Sequence, residues 1–148
     1  MKNGVLNPKM QANVVTFDVP GQPVPQPRAR VSTRGGFARA YVPAKHPVHD
    51  YRNAIAVAAM AKGLTNREEE VHVFCRFTFE RPPSHWNKSG LKKDAPKFPK
   101  PDCDNIGKAV LDALTSIAWV DDSQVTSLCL VKCYGERATT EVAIEYVS

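Results

Sequence analysis

The segment from Val71 to Phe79 constrains the fold more than any other part of the chain. Its residues alternate: every odd-numbered position is apolar, while His, Arg and Thr occupy three of the four positions between them. A period of two predicts a β-strand with one buried face and one accessible face. Such a strand is stable only within a sheet whose apolar face is covered.

Three other segments have the composition of strands in the same sheet. They are Val14–Val19, Val125–Tyr134 and Thr139–Val147. Phe37–Val42 is a candidate for a further short strand.

Two segments predict helices that can cover the sheet. From Ile106 to Ile117 the apolar residues recur at i, i+3, i+4, i+7, i+8 and i+11, which forms one continuous stripe. The second helix is predicted between Pro47, which suits a first helical turn, and Gly63, which suits a helix end.

These elements predict one α/β (α+β) domain with a mixed sheet of about four to five strands and two main helices. We expect it to span residues 1–148, with residues 1–13 as a flexible N-terminal segment. No signal-peptide pattern and no apolar run of about 20 residues is present, so we expect a soluble, cytoplasmic protein without membrane contact. The four cysteines form no CxxC motif and predict free, mostly buried thiols.

Two Pro-rich, basic connections separate the predicted elements. The chain has a net charge of +5, which favours an anionic partner. Residues 21–48 contain five cations and no acid, so a solvated loop is less favoured than one that contacts phosphate. Residues 80–101 mix six cations with Trp86 and Phe98, as in loops that bind nucleic acid. The residues predicted to bind DNA are Arg28, Arg30, Arg34, Arg39, Lys45, Lys88, Lys92, Lys93, Lys97 and Lys100.

Acids concentrate in residues 100–124, although the chain is basic. Five of the fifteen acids lie there. Two precede or open the predicted helix, one lies on its polar face, and two follow it. A carboxylate can cap a helix start, but capping requires one acid rather than two. The five are Asp102, Asp104, Asp112, Asp121 and Asp122.

Two kinds of metal site are alternatives to simple capping. A calcium-binding EF-hand loop that starts at Asp102 is excluded, because Ile106 and Ala113 occupy two of its ligand positions. A magnesium site remains open, since Mg²⁺ prefers hard oxygen ligands. If the strand after the helix returns antiparallel to it, however, Asp121 and Asp122 end at the far end of the helix.

The string KPDCDNIGKAVLDALTSIAWVDDSQV resembles the signature of the RusA-type Holliday-junction resolvases. The shared pattern is D-x-D-N, then K, then D-A-L, and finally D-D-x-Q-V. GQPVPQPRAR followed by YVPAK also resembles the phage branch of that family, and the similarity covers most of residues 19–134. It implies a metal-dependent endodeoxyribonuclease of bacterial or phage-infected cells that resolves Holliday junctions or other branched DNA by paired symmetric nicks. The alternative is a non-catalytic protein that binds branched DNA.

The resemblance also implies roles for individual residues. Asp102, Asp104 and Asp122 would hold Mg²⁺, for which Mn²⁺ is a possible substitute, and Asp121 is a further candidate ligand. Lys108 would act in catalysis by contacting the scissile phosphate or stabilising transition-state charge. Asn105 and Asp112 are supporting positions, and Asp112 could orient Lys108 as an i, i+4 partner. Family members are homodimers, which suits two symmetric nicks in a four-way junction.

Overall fold

A computed structural model describes residues 13–28 and 30–148. It contains a four-stranded sheet, two α-helices and two small hairpins. In chain order the elements are β1 (Val14–Pro20), β2 (Arg30–Ser32), β3 (Arg39–Tyr41), α1 (Val48–Ala61), β4 (Glu70–Glu80), β5 (Trp86–Asn87), β6 (Gly90–Leu91), α2 (Cys103–Leu114), β7 (Val125–Gly135) and β8 (Thr139–Val147).

The main sheet has the strand order β1-β8-β4-β7. β7 pairs with β4 in parallel, whereas β8 lies antiparallel to both β4 and β1. The sheet is therefore mixed, as predicted. β4 is an inner strand, and Val71, Val73, Cys75, Phe77 and Phe79 are all buried on one face. The strict alternation predicted this burial correctly.

Both helices cover the buried face of the sheet. α1 buries Val48, Tyr51, Ile55 and Ala59, and the Tyr51 hydroxyl lies 2.5 Å from the Thr140 Oγ1 of β8. α2 packs closely on β7, and a Cβ added at Gly107 would overlap the Leu130 side chain. The predicted single α+β domain with two main helices is confirmed.

The two basic connections contain more regular structure than expected. The first includes β2, which pairs with β3 in a small antiparallel hairpin, and a 3₁₀ turn at Arg34–Gly36. The second includes a 3₁₀ turn at Pro83–His85 and the β5–β6 hairpin. β3 lies within the candidate strand Phe37–Val42 and was predicted, whereas β2, β5 and β6 were not, because strands of two or three residues are too short to produce a periodic pattern.

The prediction of free, mostly buried cysteines is only partly correct. All four cysteines are free thiols, but only Cys75 is buried and Cys129 is exposed, so predicting mostly buried thiols was wrong. Cys129 lies on the uncovered face of the edge strand β7.

Within the described ranges, no helix combines the length and apolar character needed to cross a bilayer. The flexible segment expected at residues 1–13 lies, apart from Asn13, outside the described residues and stays a prediction.

Candidate active site

The charged residues of α2 lie along the face of the helix that points away from the core. The opposite face is the predicted apolar stripe, which is buried at Ile106, Ala109, Val110, Ala113 and Leu114. Spacings of four, four and three residues place Asp104, Lys108, Asp112 and Thr115 along one line of the helix surface. α2 therefore presents acids and a lysine away from the core.

At the start of α2, only one of the two acids accepts a hydrogen bond from the first helical turn. Asp102 occupies the N-cap position with extended backbone, but its carboxylate accepts no capping hydrogen bond. Asp104 Oδ1 accepts from the Asn105 backbone N–H at 3.0 Å. Both aspartates are exposed. Capping therefore does not explain the pair, and both carboxylates lie at the positive end of the helix dipole.

The segment that leads into Asp102 is held by a lysine of β7. Lys132 Nζ donates to the carbonyl oxygens of Pro99 and Pro101, both at 2.8 Å. One feature of the sequence points to this contact. Lys132 occupies a helix-facing position of β7, where the alternating pattern predicts an apolar residue. Lys132 was not predicted as a functional residue, because its acceptors are distant carbonyl groups.

After α2 the chain turns back sharply. Ser116 has φ of 73°, and its backbone N–H donates to the Trp119 carbonyl at 2.7 Å. Trp119 is fully buried, and the Tyr146 hydroxyl donates to the Ala118 carbonyl at 2.8 Å. β7 then returns antiparallel to the helix, so the downstream acids stay at its C-terminal end.

Asp121 has a structural role at this end of the helix. It caps the 3₁₀ turn Asp122–Gln124, and its Oδ1 accepts from the Ser123 backbone N–H at 2.8 Å. Hydrogen bonds from the backbone and the side chain of Ser123 lower the pKa of Asp121. The Gln124 side chain completes a capping box and also donates to the carbonyls of Arg67 and Glu69.

Asp122 contacts the end of α2 directly. Its Oδ1 lies 2.5 Å from the Thr115 hydroxyl, which also lies 2.8 Å from the Leu111 carbonyl and accepts from Trp119 Nε1 at 3.2 Å. The contact with Thr115 was not predicted, because it depends on the turn at Ser116.

The Asp112 carboxylate links the two helices. Its Oδ2 lies 3.9 Å from Arg52 Nη1 of α1. Partial burial raises the pKa of Asp112, and the positive charges of Lys108 and Arg52 oppose that shift. The nearby negative charge of Asp122 adds to it. Lys108 therefore acts on Asp112 electrostatically, while the ion pair is with Arg52.

The three predicted metal ligands are not brought together within one chain. α2 contains twelve residues, and at a rise of 1.5 Å per residue its ends are about 18 Å apart. Asp102 and Asp104 lie at one end, and Asp122 lies at the other. No group of three or more His, Cys, Asp or Glu side chains in the described ranges is arranged around one metal position. The set does not fit one ion within a single copy.

The two basic connections, the first basic loop (residues 21–48) and the second basic loop (residues 80–101), border the N-terminal end of α2. The Gln26 backbone N–H donates to the Asn105 carbonyl at 2.9 Å, and the Gln22 side chain accepts from the Glu80 N–H at 2.9 Å. Of the ten predicted DNA-binding residues, the side chain of Arg30 lies outside the described part of the structure, and Lys92 is half-buried. The other eight are exposed: Arg28, Arg34, Arg39, Lys45, Lys88, Lys93, Lys97 and Lys100.

Comparison with known proteins gives two matches. Residues 20–145 match the family model described as Endodeoxyribonuclease RusA. The chain is also 35% identical over 139 residues to the uncharacterized protein YqaN of Bacillus subtilis (strain 168), and the alignment covers 90% of this chain and 97% of YqaN. The family match includes both basic loops, the whole of α2 and the acids at both of its ends.

Proposed function

Because the chain belongs to the RusA endodeoxyribonuclease family, we propose that it is a Mg²⁺-dependent endonuclease that resolves Holliday junctions and other branched DNA by paired nicks. The observation that carries this proposal is the start of α2. There, two exposed carboxylates lie where two basic loops meet, and of the two only Asp104 accepts a backbone hydrogen bond, from Asn105. Such an arrangement suits a site that brings a phosphodiester close to acidic groups.

The residues of this end have separate tasks. The exposed cations of the two loops bind phosphates of the DNA arms, which fixes the position of the strand. Lys108 lies one turn after Asp104 on the exposed face, where its ammonium group can approach the scissile phosphate and stabilise developing negative charge. Asp102 and Asp104 offer the oxygen ligands that Mg²⁺ prefers. Since one copy does not assemble the full ligand set, we assign no catalytic step to the ion.

The separation of the acids bears on the oligomeric state. We propose that the protein is a homodimer in which Asp122 of one copy completes the site begun by Asp102 and Asp104 of the other. Two such sites related by a twofold axis match the symmetry of a four-way junction. A site divided in this way also accounts for acids at opposite ends of a helix that is about 18 Å long.

Cleavage of a synthetic four-way junction tests the nuclease activity. With Mg²⁺ we expect paired nicks in the junction, little cleavage of linear duplex and no hydrolysis of free nucleotides. Asp104→Asn should abolish the product while junction binding in a gel-shift assay survives. Asp50→Asn is the matched control, because Asp50 lies in the first turn of α1 and is also exposed. Normal cleavage by Asp104→Asn would refute the site.

Mixing two inactive variants tests the divided site. Asp104→Asn and Asp122→Asn should each be inactive alone. If they are denatured and refolded together, mixed dimers should recover one intact site and nick one strand of the junction. Recovery of no activity, with mixed dimers shown by mass spectrometry, would mean that all ligands come from one copy.

A non-catalytic protein that binds branched DNA is the second candidate. One observation favours it: the described residues do not assemble a group of three acids around one metal position. This candidate predicts the same junction affinity with and without Mg²⁺, and no product with Mg²⁺ or Mn²⁺. The cleavage assay therefore separates the two candidates.

The salt dependence of junction binding tests the basic loops. Each phosphate contact contributes about 0.9 to the slope of log affinity against log salt. The double substitution Lys92→Ala, Lys93→Ala should weaken binding for all sequences and reduce the slope by about 1 to 2. Lys62→Ala at the end of α1 is the control and should leave the slope unchanged. An unaltered slope in the double variant would exclude a phosphate role for this pair.

A further inference from the structure

An open cleft of about 590 Å³ lies between the second basic loop and the end of β7. Pockets of 300–1,000 Å³ are typical of sites for small ligands and cofactors. Its lining includes Arg81, Trp86, Lys97, Phe98, Tyr134 and Glu136. Trp86, Lys97 and Phe98 belong to the connection whose composition is typical of nucleic-acid binding. The loop that forms one wall continues directly into Asp102, so the cleft adjoins the start of α2.

Two aromatic side chains on the cleft wall are unusually exposed. The exposed fraction is 49% for Trp86 and 68% for Phe98. The third ring, Tyr134, is covered, since the Arg81 guanidinium lies 4.1 Å from its centroid and His85 packs edge-on against it. The exposed rings of Trp86 and Phe98 lie beside the well-packed ring of Tyr134. Exposed aromatic side chains of this kind are suited to stacking with a planar ligand.

The walls of the cleft are held in place by hydrogen bonds. Arg81 Nη1 donates to the Pro96 carbonyl at 2.6 Å, and Lys132 binds two carbonyls of the same loop. Trp86 belongs to the β5–β6 hairpin and pairs with Leu91. Because these contacts lie within the protein itself, binding would require little ordering of the loop.

The charges of the cleft indicate the chemistry of the ligand. Arg81 and Lys132 already have partners within the protein, which leaves the exposed Lys97 to meet an anion. Glu80 and Glu136 are exposed acceptors on the same lining and suit the exocyclic amino group of a base. A planar base that carries a phosphate fits all three features.

We propose that this cleft binds one unpaired nucleotide of the DNA strand, with its base stacked on Trp86 and Phe98 and its phosphate at Lys97. The proposal rests on the function proposed above and adds to it how the strand is recognised. Opening a nucleotide at the branch point of a junction costs less than opening one within an intact duplex, where bases stack on both sides of it. The cleft therefore selects branched DNA next to the carboxylates of α2.

Tryptophan fluorescence of the whole protein tests the proposal. The chain has two tryptophans, and Trp119 is fully buried, so Trp86 reports on the cleft. A single-stranded oligodeoxycytidylate, whose bases carry an exocyclic amino group, should quench the emission when it is added without divalent metal, and a blunt duplex of the same length should quench it much less. Trp86→Phe should remove the quenching but keep the affinity measured by anisotropy of a labelled oligonucleotide.

Removing the rings should weaken single-strand binding. Trp86→Ala with Phe98→Ala should lower the affinity for the oligodeoxycytidylate by about 10-fold or more, the effect of losing stacking on aromatic side chains. Phe37→Ala is the matched control, since Phe37 is 74% exposed in the other basic loop and does not line the cleft. No quenching in the wild type, or equal losses in the control, would overturn the proposal.

Two further outcomes separate this proposal from others. If the Trp86→Ala, Phe98→Ala variant changes its oligomeric state in size-exclusion chromatography, the rings contact a second copy of the chain, and the nucleotide site is wrong. If single strands quench the emission but junctions are never cut, the nuclease proposal fails and the cleft stands. If junctions are cut without any quenching, the cleft alone fails.

Discussion

The two ends of α2 differ in what engages their carboxylates. At the C-terminal end, Asp121 caps a turn and Asp122 contacts the Thr115 hydroxyl. At the N-terminal end, Asp102 caps nothing, and Asp104 accepts only from the adjacent N–H of Asn105. One end is therefore organised by contacts within the protein, whereas the other leaves its acids accessible. Acids that are close in sequence need not share a task.

The largest expected difference between the two ends concerns their tryptophans. Trp119→Ala removes a fully buried ring and should lower the free energy of unfolding by about 3–5 kcal/mol. Trp86→Ala, in the exposed hairpin near the other end, should change it by less than about 1 kcal/mol. Urea denaturation of both variants measures the difference. Similar losses in the two variants would mean that the N-terminal end is also part of the core.

Gln124 should show an intermediate effect. Its amide oxygen accepts from the N–H groups of Val120 and Asp121, and its amide nitrogen donates to two further carbonyls. Gln124→Ala should lower the free energy of unfolding by about 1–3 kcal/mol, because several polar groups lose their partner. Chemical denaturation measures this loss.

Gln22 provides the control for that prediction. Its side chain also binds backbone groups, both of Glu80, but at an exposed position. Gln22→Ala should lower the free energy of unfolding by less than about 1 kcal/mol, since water can replace the lost bonds. An equal effect of the two substitutions would remove the contrast between a tightly bonded C-terminal end and an open N-terminal end.

The smallest effect is expected at Asp112, between the two ends. Its raised pKa means that the folded state holds the proton more tightly than the unfolded chain. Stability should therefore fall as the pH rises through the window that starts at the ordinary value of 3.8. Asp112→Asn should flatten this dependence and change the stability at neutral pH by no more than about 0.5 kcal/mol. Thermal melts across the acidic range measure it, and an unchanged pH profile would contradict it.

Periodicity was enough to predict the main elements of the fold. β4 and α2 are long and strongly patterned, so their buried faces could be read from residues 71–79 and 106–117. Of the four strands in the two hairpins only β3 was predicted, within the candidate strand Phe37–Val42, because β2, β5 and β6 contain two or three residues and produce no periodic pattern. The parallel pairing of β4 with β7 was also not predicted, since it depends on where the chain crosses the sheet.

The positions of the candidate site residues were predictable at one end of α2 only. The position of Asp102 and Asp104 follows from where the helix starts, which is a local property. The position of Asp122 depends on the left-handed backbone of Ser116 and on the burial of Trp119, and neither is visible in the acidic motif. The acceptors of Lys132 lie more than thirty residues away in sequence, so this contact required the fold.

The strand order has a consequence for how the chain folds during synthesis. β1 pairs along its whole length with β8, from Val14 opposite Glu145 to Pro20 opposite Thr139. During translation the apolar side of β1 therefore stays uncovered until almost the entire domain has left the ribosome. β4 likewise lacks one neighbour until then. The last strand to be made joins the first to the rest of the sheet, so the nascent protein is most exposed to aggregation just before β8 emerges.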